Sequence, residues 1–366
     1  MNLFTAAFSK IFKSGNQQVL DKIKPLIVEI NSRESSLSSL NDQDFKEIIV
    51  RQFYNGMETN RTSHQASLGF ATRREDFTKE NISDTETIYS VKDNFPYIHT
   101  QFSPKLRNFI AAREGFYFGG LFIENNTQVI FNDSFHITGN FKLSIYDNFS
   151  ELYIPPVNTY PAQVRSDQKE YFNSFGDGVT IGRLEANYLK SFSRRHFFRT
   201  TVGIFEEMFG GVGIDYVYHK EGSLISFFGE TYFVKKRNPR MLFDFKKYSN
   251  SYARIGAQIR EPMTKTDFKI SYGEYLAGDI GYTFEAKRRF ANGVEFSAFF
   301  TKTNVSYELF GEGSFDKGIL LKLPLPTFGK KRSLSSFEWR PLIKDPASQI
   351  IKAIDISDEI RRYRKY

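Results

Sequence analysis

The chain has no cysteine. Thiol nucleophiles, thiolate metal sites and disulfide staples are therefore excluded together. No run approaches the roughly 18 consecutive apolar residues of a membrane-crossing helix, so only a closed set of strands could span a bilayer. A phosphate loop of the form GxxxxGK followed by Ser or Thr is also missing, and with it the amides and lysine that cradle a nucleotide. His64, His99, His136, His196 and His219 are far apart, with no HxH or HExxH pair, so no metal site is expected.

Two glycine-bearing stretches invite chemistry and do not sustain it. Gly176-Asp177-Gly178 with Gly182 has no following Lys and no helix to present amides, and reads as a loop before a strand. Gly311, Gly313 and Gly318 bring Ser314, Asp316 and Lys317 close together, but no His base lies near, and a tight turn or structured loop is the better reading. No catalytic and no cofactor-binding residues are expected.

What the chain does have is aromatic residues: 39 Phe and 20 Tyr against a single Trp. The mean hydropathy is nonetheless negative, at −0.42. Phe and Tyr here alternate with charged and hydroxylic residues instead of forming apolar runs. The formal charge is +8. Residues 329–366 hold ten Lys/Arg against five Asp/Glu, concentrated at Lys330-Lys331-Arg332 and Arg361-Arg362-Tyr363-Arg364-Lys365. Such a basic tail is read as solvated, with contact to anionic headgroups or an acidic polymer as the alternative. No nucleic-acid partner is expected, because the charge is not spread along a groove-reading element.

Residues 1–60 carry a helical period. Leu20, Ile23, Ile27 and Ile30 recur at three and four, and Asn41 with Asp44 precedes Phe45, Ile48 and Ile49 as a cap before an apolar face. Leu3-Phe4-Thr5-Ala6-Ala7-Phe8 is too short for the apolar core of a secretory signal, and Lys10 and Lys13 follow it instead of leading it, so no signal peptide is expected here. After a transition region over 61–114 the period becomes two. Ile280, Tyr282, Phe284 and Ala286 alternate with Gly281, Thr283, Glu285 and Lys287, and segments around Ile137, Leu184, Ala253 and Val294 repeat the rule. Asn292-Gly293 predicts a type I′ hairpin. Segments of about ten residues with an aromatic-rich apolar face predict an antiparallel transmembrane β-barrel of roughly 12 strands over 115–328, in preference to a soluble β-sheet. The fold class expected is thus mainly β, with a short N-terminal helical appendage at 1–60 and a basic tail at 329–366.

Several stretches resemble the YjbH family. They are Asp147-Asn148-Phe149, Pro155-Pro156, Val164-Arg165-Ser166-Asp167 with Glu170-Tyr171, Glu207 through Gly213, Gly273 through Asp279, Phe290 through Val294, Phe310 through Gly318, and Trp339-Arg340-Pro341-Leu342. The resemblance covers about residues 100–365 and corresponds to the C-terminal part of longer family members. It implies a non-enzymatic outer-membrane β-barrel associated with exopolysaccharide assembly or export, with membrane lipid, exopolysaccharide and periplasmic export proteins as partners. Phe12 through Asn16, Leu26 through Asn31 and Leu40 through Lys46 resemble instead the extreme N-terminus of SecA, the preprotein-translocation motor. That resemblance implies, as the alternative, a translocase fragment or fusion without an ATPase core.

Candidate lumen residues are polar ones: Arg165, Arg183, Arg254, Glu274, Asp279, Glu285 and Asp316. Carboxylates and guanidiniums suit sugar hydroxyls, and Tyr or Phe faces stack on pyranose rings. The plainer alternative is that these side chains satisfy one another inside a narrow barrel.

Overall fold

The computed structural model describes residues 47–54, 57–65, 72–73, 95–110, 116–151, 162–310, 315–326, 332–339 and 345–363. The chain divides into two compact units. One comprises Met1–Val50, Arg61–Glu75 and Pro324–Ser335, and the other Arg51–Asn60, Asp76–Leu323 and Ser336–Tyr366.

Strands β1 (Glu47–Tyr54), β2 (Met57–Gln65) and β3 (Thr72–Arg73) form a small three-stranded sheet. Ile48 and Ile49 thus lie in a strand, where the capping pattern pointed to a helix. The run from Glu47 to Tyr54 is rich in β-branched and aromatic residues, and pairing with β2 overrides the local helical spacing. The other predicted helix, around Leu20 to Ile30, lies outside the described residues.

The second sheet has 13 strands in strict sequence order. They are β4 (Tyr97–Ile110), β5 (Tyr117–Ile130), β6 (Phe135–Asp147), β7 (Val179–Ser191), β8 (His196–Ile204), β9 (Phe209–His219), β10 (Ile225–Arg237), β11 (Phe245–Glu261), β12 (Thr266–Glu274), β13 (Ile280–Arg289), β14 (Glu295–Thr303), β15 (Asp316–Pro326) and β16 (Arg332–Trp339). Every pairing resolved in register between β4 and β15 is antiparallel. Two strands fall outside the predicted 115–328 span. Pro104 inside β4 disguised that segment as a non-strand, and an edge position is where a strand tolerates proline. The predicted ring of strands is not what the pairing gives. The order begins at β4 and ends at β16, and closure would need ladder hydrogen bonds between those two edges, so the described sheet is open.

The tight hairpins use one left-handed residue each. Gly293 has φ +90°, its N–H donates to the Phe290 carbonyl, and Phe290 N–H donates to Val294 O at 2.8 Å. This is a three-residue loop, because only Gly293 and not Asn292 takes positive φ, whereas a type I′ turn needs both. Leu276-Ala277-Gly278 makes the same loop, with φ +85° at Gly278 and Tyr275 N–H donating to Asp279 O at 2.8 Å.

The period of two sorts side chains onto opposite faces. One face is apolar and exposed: Val212, Ile214, Phe227, Phe233, Ile255, Ile270, Tyr272, Ile280 and Tyr282 all lie on it, with Ile255 70% accessible. The other is polar and buried, with Glu185, Arg199, Asp215, Glu230, Arg254, Thr283 and Thr301 beneath it. A soluble sheet hides its apolar face, and here the distribution is reversed. Of the set Ile280, Tyr282, Phe284 and Ala286 expected to face outward, Ile280 and Tyr282 are exposed opposite buried Thr283, while Phe284 and Ala286 are half-buried, as is Glu285 between them.

Toward one end of the strands, an aromatic cluster packs Phe118, Phe122, Phe149, Phe172, Phe175 and Phe209 around a short helix α1 (Gln168–Asn173). Arg237 stitches this end together. Its guanidinium, fully buried, donates to the carbonyls of Ile181, Glu206, Glu207 and Leu242. A second helix, α2, is a single turn at Tyr307–Phe310.

Candidate functional site

Two kinds of residue meet on the buried polar face: charges from the strands and the C-terminal segment 345–363. On the strands, Arg199 donates to Asp215 at 2.8 Å, to Asn187 at 2.9 Å and to Glu185 at 3.3 Å, while Tyr232 Oη donates to Asp215 at 2.6 Å. One strand over, Arg254 Nε donates to Glu230 at 2.7 Å and Tyr252 Oη donates to the same carboxylate at 3.0 Å. The ladder explains the grouping. Glu230 pairs with Arg254 across β10 and β11 and with Asp215 across β9 and β10, and Asp215 pairs with Arg199 across β8 and β9, so all four point to one side.

The C-terminal segment lies across this face. Asp345 Oδ1 accepts from the backbone N–H groups of Val164, Arg165 and Ser166 at 2.9, 2.7 and 2.8 Å. Leu276 N–H donates to Ser348 O at 3.0 Å. Gln349 receives Arg254 on its side chain at 2.7 Å and Arg165 on its carbonyl at 2.8 Å. Lys352 reaches between Asp215, at 2.9 Å, and Glu230. Helix α3 (Ile356–Tyr363) follows, capped by Asp355, whose carboxylate accepts from Ser357 N–H at 2.9 Å. Ile356 and Ile360, one turn apart, pack against Leu189, Phe197, Val217 and Phe228. Asp355 takes Lys269 at 2.9 Å and Asp358 takes Lys287 at 2.7 Å. Arg361 donates to Ser226 Oγ at 3.0 Å and to the carbonyls of Leu224 and Gln258.

The charges on the segment are strongly held. Burial works against the Lys352 ammonium, but Asp215 and Glu230 outweigh it and keep it well above the ordinary lysine range. Burial likewise opposes the Asp355 carboxylate, and Lys269 with Lys352 hold it well below the usual range; burial also opposes Asp358, and Lys287 outweighs it and lowers that carboxyl. Asp279 is pushed the other way, upward, by burial, although the N–H of Ala347 donates to it at 2.7 Å.

The seven predicted lumen residues divide accordingly. Arg183 donates to Ile351 O at 3.0 Å, so Arg165, Arg183, Arg254 and Asp279 all bond the C-terminal segment. Arg165 also pairs bidentately with Glu206. Glu285 stays on the polar face beside Lys287 at 3.1 Å, and Asp316, paired in register with Thr301, is buried there. Glu274 is a correction. The register sets it opposite Ala253 and Ile280, on the apolar face, because the odd-numbered positions of β12 are the inward ones.

The charges missed from sequence are Arg199, Asp215, Glu230 and Lys352. The first three occupy polar positions of an alternating strand, a signal shared by many residues, and Lys352 stood in what read as a solvated tail. Far from being solvated, residues 345–350 and 356–361 are mostly buried. The signals available there were the Asp355 cap and the Ile356/Ile360 spacing. Among the described residues no group of three or more His, Asp or Glu is placed to hold a metal, and no helix is long and apolar enough to cross a membrane.

Fold and site define a mainly β protein: an antiparallel meander with an exposed apolar face and a charged, covered one. The chain belongs to the YjbH family, described as "Exopolysaccharide biosynthesis protein YbjH", which it matches over residues 8–362. That span takes in residues 12–46, and neither the resemblance of that stretch to SecA nor the translocase alternative gains support. The chain is also 30% identical over 263 residues to the "Uncharacterized lipoprotein YjbH" of Escherichia coli (strain K12). The match covers 70% of this chain and 37% of that relative's length.

Proposed function

We propose that this chain builds an outer-membrane wall of β-strands that accompanies exopolysaccharide assembly or export and performs no catalysis. The observation that carries the reading is the reversal of faces: exposed Ile, Val, Phe and Tyr on one side, paired charges on the other. In water such a face is costly, whereas against lipid tails it costs nothing, and polar interiors are normal for strands that enclose an aqueous lumen. Strands β4 to β15 are 9 to 17 residues long, which suffices for a tilted strand to cross hydrocarbon. Hydrocarbon does not tolerate a free sheet edge, so on this reading the edges of β4 and β16 are covered by partner strands.

Family membership supports the exopolysaccharide connection. On this reading Glu285, half-buried beside Lys287 on the polar face, is the best placed of the predicted set to meet sugar hydroxyls, and periplasmic export proteins are the soluble partners. Cell fractionation with heat-modifiable migration tests the proposal. Recovery in outer membranes with a faster unheated band supports it, and recovery in the soluble fraction contradicts it.

A further inference from the structure

We infer that residues 345–361 are a displaceable cover over the polar face of the sheet, held by charge and able to leave without unfolding the strands. Its purpose, to close a polysaccharide path, rests on the function proposed above; its displaceability rests on geometry alone.

The first observation is how the segment is attached. It joins no strand ladder: among the described residues its one backbone-to-backbone bond to the rest of the chain is Leu276 N–H to Ser348 O. The other polar attachments run through side chains, chiefly Asp345, Gln349, Lys352, Asp355, Asp358 and Arg361. Withdrawal therefore breaks no hydrogen bond between strands.

The second observation is redundancy on the wall. Removing one partner of a buried ion pair is normally costly because a charge is stranded. Here six of the wall charges that the segment touches keep a partner of their own when it goes. Asp215 retains Arg199, Glu230 retains Arg254, Lys287 retains Glu285, Asp267 retains Arg260, Arg165 retains Glu206 and Arg183 retains Glu185. Lys269 loses the Asp355 carboxylate and keeps the face of Phe228, 4.5 Å from its ammonium. A segment built only to brace the sheet has no need of a wall whose charges are so largely paired without it. The apolar anchors that resist release are few: Ile350 in one cluster, and Ile356 and Ile360 in the other with Ile354 packed against it.

The absence of cysteine makes the test clean. Single variants Ser357→Cys, and Ile356→Cys should the first fail to fold, place a thiol on the buried side of the cover, while Val234→Cys reports opening of the aromatic end of the sheet. Each full-length protein is treated in detergent with a bulky water-soluble maleimide at low and at high salt. The inference expects labelling at 357 or 356 to be about tenfold or more faster than at 234, as local opening precedes global unfolding. It also expects salt, and the pair Lys269→Gln with Lys287→Gln, to accelerate that labelling further, since both weaken the charges that hold the cover. Equal slow labelling at all positions, insensitive to salt and to the lysine variants, overturns the inference. That result would leave the membrane reading untouched, because fractionation tests the latter separately.

Discussion

Replacing Arg199 by alanine removes a guanidinium that is 1% accessible while Asp215 and Glu185 stay buried around the vacancy. Asp215 then keeps Lys352 as its one cation and the Tyr232 hydroxyl as a neutral donor, and the variant should lose about 3–5 kcal/mol in reversible unfolding in detergent. Arg199→Met combined with Asp215→Leu should recover much of that loss, because matched apolar groups leave no stranded charge. Glu207 makes a different point. Burial opposes its ionisation, but Arg107 and Lys142, at 2.8 and 2.6 Å, outweigh burial and hold the carboxyl well below the usual range. A depressed carboxyl contributes stability above its unfolded value, about 4, and that contribution is lost as pH falls through the folded value. Acidification below about pH 4 should therefore lower Tm more steeply in the wild type than in Glu207→Gln. Parallel curves for the two proteins would show that this triad does not report on folding.

Helix α3 is held to the sheet by Ile356 and Ile360, both about 1% accessible, with charges on either side of them. Ile360→Ala should cost about 2–5 kcal/mol, and the loss should appear locally. Hydrogen exchange of α3 amides should quicken while β9 to β12 keep their protection; equal loss in both would mean that helix and sheet unfold together. This element was not legible in the sequence, because net charge over residues 329–366 outweighed a short cap and two apolar positions. The strands were legible wherever Phe, Ile and Tyr kept strict alternation, as in β13. They were missed where Pro104 interrupted β4 and where β16 continued past the last periodic run. Facing was legible too, with the exception of Glu274, whose place at a strand end hides its parity. Which inward charges would meet was not legible, since the ladder register that brings Arg199, Asp215, Glu230 and Arg254 together is a non-local property.

At the scale of the molecule the central claim is that the apolar face meets lipid. Phe284 sits on that face between two rings, stacked on Phe268 at 6.1 Å and tilted against Phe300 at 5.7 Å. Phe284→Arg should destabilise the protein by about 2–4 kcal/mol in a bilayer if that position lies near the midplane, and less toward the interface. The most direct measurement uses single cysteines at Tyr282 and Thr283, adjacent residues on opposite faces, each carrying an environment-sensitive fluorophore in protein reconstituted into vesicles. Lipids brominated on their acyl chains should quench the fluorophore at 282 strongly and the one at 283 weakly. Equal quenching at both, or quenching at 282 by a water-soluble agent and not by brominated lipid, would contradict the account.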